Sequence, residues 1–321
     1  MVGIIIVTEF KKINLNFVAK LLVVSGYYYD MGYVNKSEVI DLMDSMNECQ
    51  PWANHPTGTY LAAGALLNQK LHICGGYNTN NYSTYETCFL ISPTSAEPTL
   101  NLTIGSDESA AINFQGKLWY TGGENLDTGS LMRTEILSDA QVFPGPDLPY
   151  PVRGHCIVKV SEETILITGG ATSGLAKTNN RQTWFYNANG WTRGPDMIES
   201  RERHGCSSFW LNGVEIIAVS PGYGSSGTSI EFLNLNQENP QWIQGASLPD
   251  YYYDNRGHQM VSNNEILFYI NTNDNIFLRL DCQSSLEDCH WISMDQKLEF
   301  PRVNAVVSLI PDNLSNCTNS N

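Results

Sequence analysis

An all-β fold, a β-propeller of six four-stranded antiparallel blades, is predicted by three observations. An apolar strand ending in glycine recurs at a nearly constant interval, short strands and polar loops follow it in a fixed order, and helical periodicity is almost absent. The repeat is plainest in KLHICGG ending at Gly76, KLWYTGG ending at Gly123 and TILITGG ending at Gly170. It returns in KLLVVSG ending at Gly26, VEIIAVSPG ending at Gly222 and EILFYIN ending at Asn271. Successive ends lie 47 to 52 residues apart, so six units tile the 321-residue chain. A single propeller of this size buries roughly three quarters of its extended surface and needs no staples to hold a core.

With strands lettered a to d from the channel outward, the glycine-ended segment is strand b. Glycine reaches positive φ and lets backbones approach closely, which suits a strand ending against the next element. Strand c follows a polar loop and opens near a glutamate, in SEVIDL with Glu38, YETCFLIS with Glu86, RTEILSD with Glu135 and IEFLNL with Glu231. Strand d starts at a tryptophan in four units, at Trp52, Trp191, Trp242 and Trp291. These tryptophans are read as packing between neighbouring blades. A loop with Pro, Arg or His then leads to strand a of the next unit, in GHCIVKV, HGCSSFW and GHQMVSN.

Together these features resemble the kelch repeat, also found in galactose-oxidase-like central domains: a diglycine closing a strand, a strand with its glutamate, a downstream tryptophan and a period near fifty. The resemblance covers about Leu21 to Ile310, although Gly-Gly stands in three of six units. Tryptophan is missing from the second and third units, where SAEPTLNL and AQVFPGPDL stand instead. Resembling intracellular proteins often carry a BTB domain ahead of the propeller; with about twenty residues before blade 1, this chain is expected to hold none.

Unit 1 opens at its second strand, with no first strand before Leu21, while the chain finishes with FPRVNAVVSLI. That ending matches the first-strand pattern of other units when Arg302 is set against Arg153, Arg203 and Arg256. The C-terminal strand is therefore expected to enter blade 1 innermost, as in kelch propellers, leaving no open sheet edge. The domain reading is an N-terminal extension over 1–20, a propeller over 21–310 with blade 1 completed by 300–310, and a tail over 311–321.

Antiparallel order puts the b–c and d–a loops on one face, and that face collects the candidate binding residues. Arg153, Arg203, Arg256 and Arg302 stand before strand a beside His155, His204 and His258, a partial ring of donors at the channel mouth. The planar guanidinium fork suits carboxylates. The resemblance implies a structural alternative, with each Arg holding a loop carbonyl or an acidic side chain. Tyr27-Tyr28-Tyr29-Asp30 opens the b–c loop of blade 1, and Tyr251-Tyr252-Tyr253-Asp254 lies in the d–a loop leading into blade 6. The two copies are not equivalent in the repeat but fall on one face of adjacent blades, with the tyrosine content expected at an interface centre. His155 and His258 follow their Arg by two residues and His204 by one, an offset that sends His204 to the other side of its strand. No metal ligand set is assigned, and no cofactor is expected.

Charge and cysteine content bound the partners. Lys and Arg number 18 against 33 Asp and Glu, a net of -15, and no cationic run exceeds two residues. That argues against nucleic acid or an anionic membrane as the main partner. The apolar run Gly3–Val7 is too short to span a bilayer, so no membrane insertion and no recognisable targeting signal are expected. Among eight cysteines, Cys74 with Cys88 and Cys282 with Cys289 flank turns where antiparallel strands bring Cα atoms within disulfide reach. Cys156 and Cys206 sit on innermost strands of neighbouring blades and are expected to be buried thiols, too far apart to bridge. Cys49 and Cys317 carry no assignment. Two disulfides and the glycosylation sequons at Asn35, Asn81, Asn101, Asn313 and Asn316 favour a secreted glycoprotein.

The function expected from these features is non-catalytic recognition of a protein by a monomeric domain, through the b–c and d–a face. One alternative is a propeller enzyme, copper-radical oxidase-like or glycosidase-like, working at the channel mouth. Against it, the sequence lacks S-x-D-x-G-x-x-W boxes, a Gly-rich phosphate loop, G-x-S-x-G and C-x-x-C. A third possibility is a structural extracellular component without a defined pocket.

Overall fold

The computed structural model of the chain describes residues 19–138, 141–173, 180–249, 258–263 and 265–319. Each blade is an antiparallel sheet of successive strands. In order a to d, blade 2 comprises Ala63–Leu67, Lys70–Cys74, Cys88–Ile91 and Ala96–Pro98. Blade 3 comprises Ala110–Phe114, Lys117–Thr121, Thr134–Leu137 and Val142–Pro144. Blade 4 comprises Cys156–Ser161, Thr164–Thr168, Thr183–Asn187 and Gly190–Arg193. Blade 5 comprises Cys206–Leu211, Val214–Val219, Glu231–Asn234 and Trp242–Gln244. Blade 6 comprises His258–Ser262, Leu267–Asn271, Ile276–Asp281 and His290–Ser293.

Blade 1 is assembled from both ends of the described chain. Its strands b, Lys20–Val24, and c, Ser37–Asp41, pair with each other, and Asn47–Cys49 lies beside strand c as strand d. Strand a is the C-terminal segment Val306–Ile310, with Val306 opposite Val24 and Ile310 opposite Lys20. The expected closure by a C-terminal strand is therefore present. Beyond it, a single 3-10 turn, Asp312–Leu314, leads to Cys317–Asn319, which pairs with Asn47–Cys49 on the outer rim of the same blade.

Strand b explains the packing. Its side chains alternate between the two sheet faces, and in a propeller both faces are covered by neighbours. Leu21 and Val23 pack against Phe268, Ile270 and Phe277 of blade 6, whereas Leu22 and Val24 pack against Leu71 and Ile73 of blade 2. Blade 5 repeats the division, with Ile216 and Ala218 facing blade 6 and Ile217 and Val219 facing blade 4. The buried apolar residues thus form clusters lying between blades, one at each junction among the described residues. Trp191, Trp242 and Trp291 lie in strand d as read, and the Trp242 indole donates to the Pro195 carbonyl and that of Trp291 to the Ala246 carbonyl, each in the loop leaving the preceding blade; Trp52 instead follows strand d of blade 1, and its indole donates to the Leu314 carbonyl.

The diglycine sews one blade to the next. The amides of Gly76, Gly123 and Gly170 donate to the carbonyls of Ser106, Val152 and Arg201 in the loop entering the following blade. A Cβ on Gly122 would stand 2.4 Å from the Val152 oxygen, and one on Gly169 would stand 2.5 Å from that of Arg201. No side chain fits there.

All eight cysteines are paired. Cys74–Cys88 and Cys282–Cys289 form the two bridges expected. Cys49–Cys317 ties the C-terminal strand to the rim of blade 1. Cys156–Cys206 corrects the expectation of buried thiols: the innermost strands converge toward the axis, bringing the two Cα atoms to 6.0 Å, inside the range a disulfide spans.

Truncation from Phe300 onward should abolish the cooperative thermal transition, because blade 1 loses its innermost strand and its neighbours lose their cover. The bridges should rank by the length of chain they close: Cys317→Ser, opening a separation of 268 residues, is expected to cost about 4–5 kcal/mol and Cys289→Ser, opening 7, about 2 kcal/mol. Urea unfolding of both variants checks this order.

Candidate functional site

The register at the channel mouth follows from a recurring loop conformation. In each of blades 1 to 5 a residue just before strand a makes an isolated antiparallel bridge to the residue beyond the end of strand b. The pairs are Val303 with Tyr27, Tyr60 with Tyr77, Asp107 with Glu124, Arg153 with Ala171 and Glu202 with Tyr223. The next residue in each case, Asn304, Leu61, Glu108, Gly154 and Arg203, takes a left-handed backbone with φ between 50° and 61° and lines the mouth of a cavity of about 250 Å³ on the axis.

This register separates the arginines. Arg153 occupies the bridging position and Arg203 the left-handed one, while Arg302 precedes the bridging residue and corresponds to Arg201. Arg302 does not align with Arg153, because it stands one residue further from its strand; Arg203 does not either, because the loop from the bridging residue to strand a is one residue longer in blade 5. Arg256 and Tyr251, Tyr252 and Tyr253 lie outside the described residues.

Arg302 and Arg201 are fully buried and already engaged. Arg302 donates to the Lys36 carbonyl and ion-pairs with Glu38. Arg201 donates to the carbonyls of Ser220 and Ser229, 2.7 Å each, and to the Glu231 carboxylate at 2.7 Å. Glu38 and Glu231 are the glutamates that open strand c, so their recurrence in the repeat reflects a loop-to-strand ion pair. In blade 3 the residue just before strand c substitutes, with Arg133 pairing with Glu135 and donating to the Ile104 carbonyl.

Arg153 and Arg203 sit at the mouth, both neutralised. Arg153 contacts the carboxylates of Glu108 at 2.6 Å, Glu124 at 2.8 Å and Glu202 at 2.8 Å. Arg203 pairs with the other oxygen of Glu108; burial disfavours its charge, but Glu108 outweighs this and keeps the guanidinium protonated. Asp107 completes the group. Its carboxyl oxygen lies within 4.8 Å of those of Glu108 and Glu124. Burial, reinforced by these two carboxylates, pushes Asp107 up to about 8. Sequence reasoning missed this acidic set because it followed arginines; the Asp107-Glu108 pair and Glu124, which directly follows the diglycine, carry no repeat signature.

The histidines are buried and structurally engaged. His155 and His204 are equivalent after all, each sharing a hydrogen bond through Nε2 with a threonine ending strand b of the preceding blade: Thr121 at 2.9 Å and Thr168 at 2.8 Å. The offset inferred from their spacing reflects the arginines' shifted register. Burial pushes His155 down to about 4 and, with the nearby Arg201 charge, His204 well below the ordinary imidazole range. His258 bonds through Nδ1 to the Tyr269 hydroxyl at 2.5 Å.

On blades 1 and 2 the same face is aromatic. Tyr27–Tyr28 and Gly32–Tyr33 form a short hairpin. The Tyr27 ring packs against Tyr29, Tyr33 and Tyr60 at centroid distances of 5.9, 5.7 and 5.5 Å. The Tyr33 hydroxyl reaches the Tyr77 carbonyl at 3.1 Å and so links this hairpin to that of blade 2. Large apolar side chains stand exposed on the same face, among them Tyr29 at 51%, Met31, Tyr82, Leu126 and Tyr223.

The fold and this mouth define a six-bladed β-propeller. No family model matches the chain, and no curated protein matches it. Among solved structures it is similar to that of YjhT, with a TM-score of 0.59 and 11% sequence identity over 83% of this chain and 99% of that one. At that identity the likeness concerns the fold.

Arg201→Ala and Arg302→Ala should each destabilise by about 3–5 kcal/mol in urea unfolding, since each leaves a buried glutamate unpaired. The pH profile should bend at two places. Asp107 binds its proton more tightly folded than unfolded, so its contribution is lost as pH rises from about 4 to about 8. Asp107→Asn should therefore gain stability over the parent with rising pH. The histidines bind protons less tightly when folded, so their contribution is lost as pH falls below about 6.5. His204→Gln should blunt that acid loss in pH-resolved unfolding.

Proposed function

We propose that this propeller, of the kelch type its repeats resemble, recognises a protein partner through the face bearing the b–c and d–a loops. The observation that carries the reading is the ledge of packed, partly exposed tyrosines on blades 1 and 2. Tyrosine supplies rigid amphipathic area with few rotatable bonds, as interface centres require. The hairpins that hold it are tied to one another across the blade junction, so little ordering cost remains on binding. With their guanidiniums already paired, Arg153, Arg203 and Arg302 act by shaping the mouth and holding its loops.

The test uses capture of partners from the native source on immobilised protein. Tyr29→Ser combined with Tyr82→Ser is expected to lower retention of the main captured protein at least about tenfold. Trp210→Ser, at an exposed position beside the a–b turn of blade 5 on the opposite face, should not. Equal retention by both variants overturns the reading.

A second reading, a glycosidase-like hydrolase, is favoured by one observation: a carboxyl held protonated near neutrality beside other carboxylates, at the rim of a cavity. Hydrolysis of a glycoside panel that disappears in Asp107→Asn would establish it.

An extracellular setting fits four disulfides, and of the five sequon asparagines Asn81, Asn101, Asn313 and Asn316 are exposed. Thiol titration of unfolded, unreduced native-source protein should find none, and reduction should release all eight; eight without reductant would place the protein in a reducing compartment.

A further inference from the structure

We propose that Asn81 carries an N-linked glycan and that this glycan covers the blade 2 end of the tyrosine ledge. The inference rests on the extracellular setting and the recognition face proposed above, and adds a covalent control of that face. The donor is a polyisoprenyl-pyrophosphate-linked oligosaccharide. The Asn81 Nδ2 attacks its anomeric carbon, the N–C bond forms as the C–O bond to pyrophosphate breaks, and Nδ2 gives up one proton to a base of the transferring enzyme.

The five sequons differ in what the fold has already done with them. Ser37 of the Asn35 sequon is buried, and its hydroxyl donates to the Ala53 carbonyl at 2.7 Å. In the Asn101 sequon the Thr103 hydroxyl donates to the Glu135 carboxylate at 2.9 Å and accepts from Arg133 at 3.2 Å. The sequons at Asn313 and Asn316 lie in the segment held against the rim of blade 1, where the Leu314 carbonyl accepts from the Trp52 indole and Cys317 is bridged to Cys49. Asn81-Tyr82-Ser83 is committed to nothing outside itself: among the described residues its side chains make one hydrogen bond, from the Ser83 hydroxyl to the Asn81 Oδ1 at 2.8 Å. That bond leaves Nδ2 on the other side of the planar amide. Asn81 is exposed and stands in the turn between Tyr77–Asn78 and Ser83–Thr84, a surface loop of the kind an N-glycan requires.

Position gives the glycan its effect. The base of the hairpin is fixed to blade 1, where the Tyr33 hydroxyl donates to Thr79 Oγ1 at 3.0 Å, so the tip is held at the ledge. Tyr82, next to Asn81, is 75% exposed, the highest value among the large apolar side chains described. A glycan is bulky and hydrophilic, and one attached a single residue away spreads over this ring. It thereby closes apolar area that would otherwise be open to a partner. Chains without it present the whole ledge.

The test maps the sequon peptides of native-source protein by mass spectrometry, before and after amidase removal of N-glycans, which leaves aspartate at each formerly occupied asparagine. Asn81 is expected to be occupied, and its occupancy should be lost in Asn81→Gln and in Ser83→Ala expressed in the same source. Hydroxyl-radical footprinting then reads the cover. Oxidation of Tyr82 is expected to rise at least about twofold in either variant, because the bulky glycan no longer lies over it. Trp210, exposed on the opposite face, should keep its rate. Thermal transitions establish that each variant is folded, and either folded variant suffices for the comparison. An unmodified Asn81, or Tyr82 oxidised equally in parent and variants, overturns the inference. Other sequons occupied with Asn81 bare removes this site and leaves the extracellular setting intact. All five bare, with all eight cysteines titrating as thiols, removes the setting as well. A glycan found at Asn81 together with a partner retained equally by the tyrosine variants removes the recognition face and leaves the glycan in place.

Discussion

No blade of this protein has a core of its own. A four-stranded sheet whose middle strand is apolar on both faces must be covered twice, and here each covering surface belongs to a neighbouring sheet. Leu21 and Leu22, adjacent in sequence, are buried in different clusters. Every blade therefore depends on two others, and the arrangement is satisfied when the ring closes. The diglycine turns, the tryptophans of strand d and the C-terminal strand are all means to that closure.

Closure also explains the burial of charge near the axis. The loops entering strand a carry polar backbone into a crowded zone, where carbonyls and carboxylates need partners. Arg201 and Arg302 supply them, each taking a strand c glutamate and at least one loop carbonyl. What distinguishes blades 3 to 5 is that the equivalent loops place Asp107, Glu108, Arg153, Glu202 and Arg203 one or two residues further along, at the rim. The same types of side chain that hold the loops elsewhere there form a network of ion pairs at the rim.

Much of the fold was legible because it rests on period and alternation. Gly76, Gly123 and Gly170 mark the ends of strand b, and the missing first strand of unit 1 with the surplus strand at Val306–Ile310 announces how the ring shuts. Cross-strand cysteines such as Cys74 and Cys88 were readable since both flank one loop. Contacts across blade junctions were less legible. The approach of Cys156 to Cys206 depends on how far neighbouring inner strands splay, and the pairing of Cys317 with Cys49 on a strand too short to show alternation. At the mouth, one extra loop residue in blade 5 and the different place of Arg302 in its loop broke the arginine register, and a left-handed residue as unlike as Leu61, Glu108 or Asn304 leaves no common letter to follow.

The path of the last described residues has a consequence for biosynthesis. Val306–Ile310 fills the inner edge of blade 1 and Cys317–Asn319 its outer edge, beside strands translated well before them. While the ribosome still holds that segment, Leu21 to Val24 have sheet neighbours on one side only, and Cys49 has no partner. The ring therefore closes only after Val306–Ile310 has left the ribosome, and Cys49 gains its partner only once Cys317 has followed.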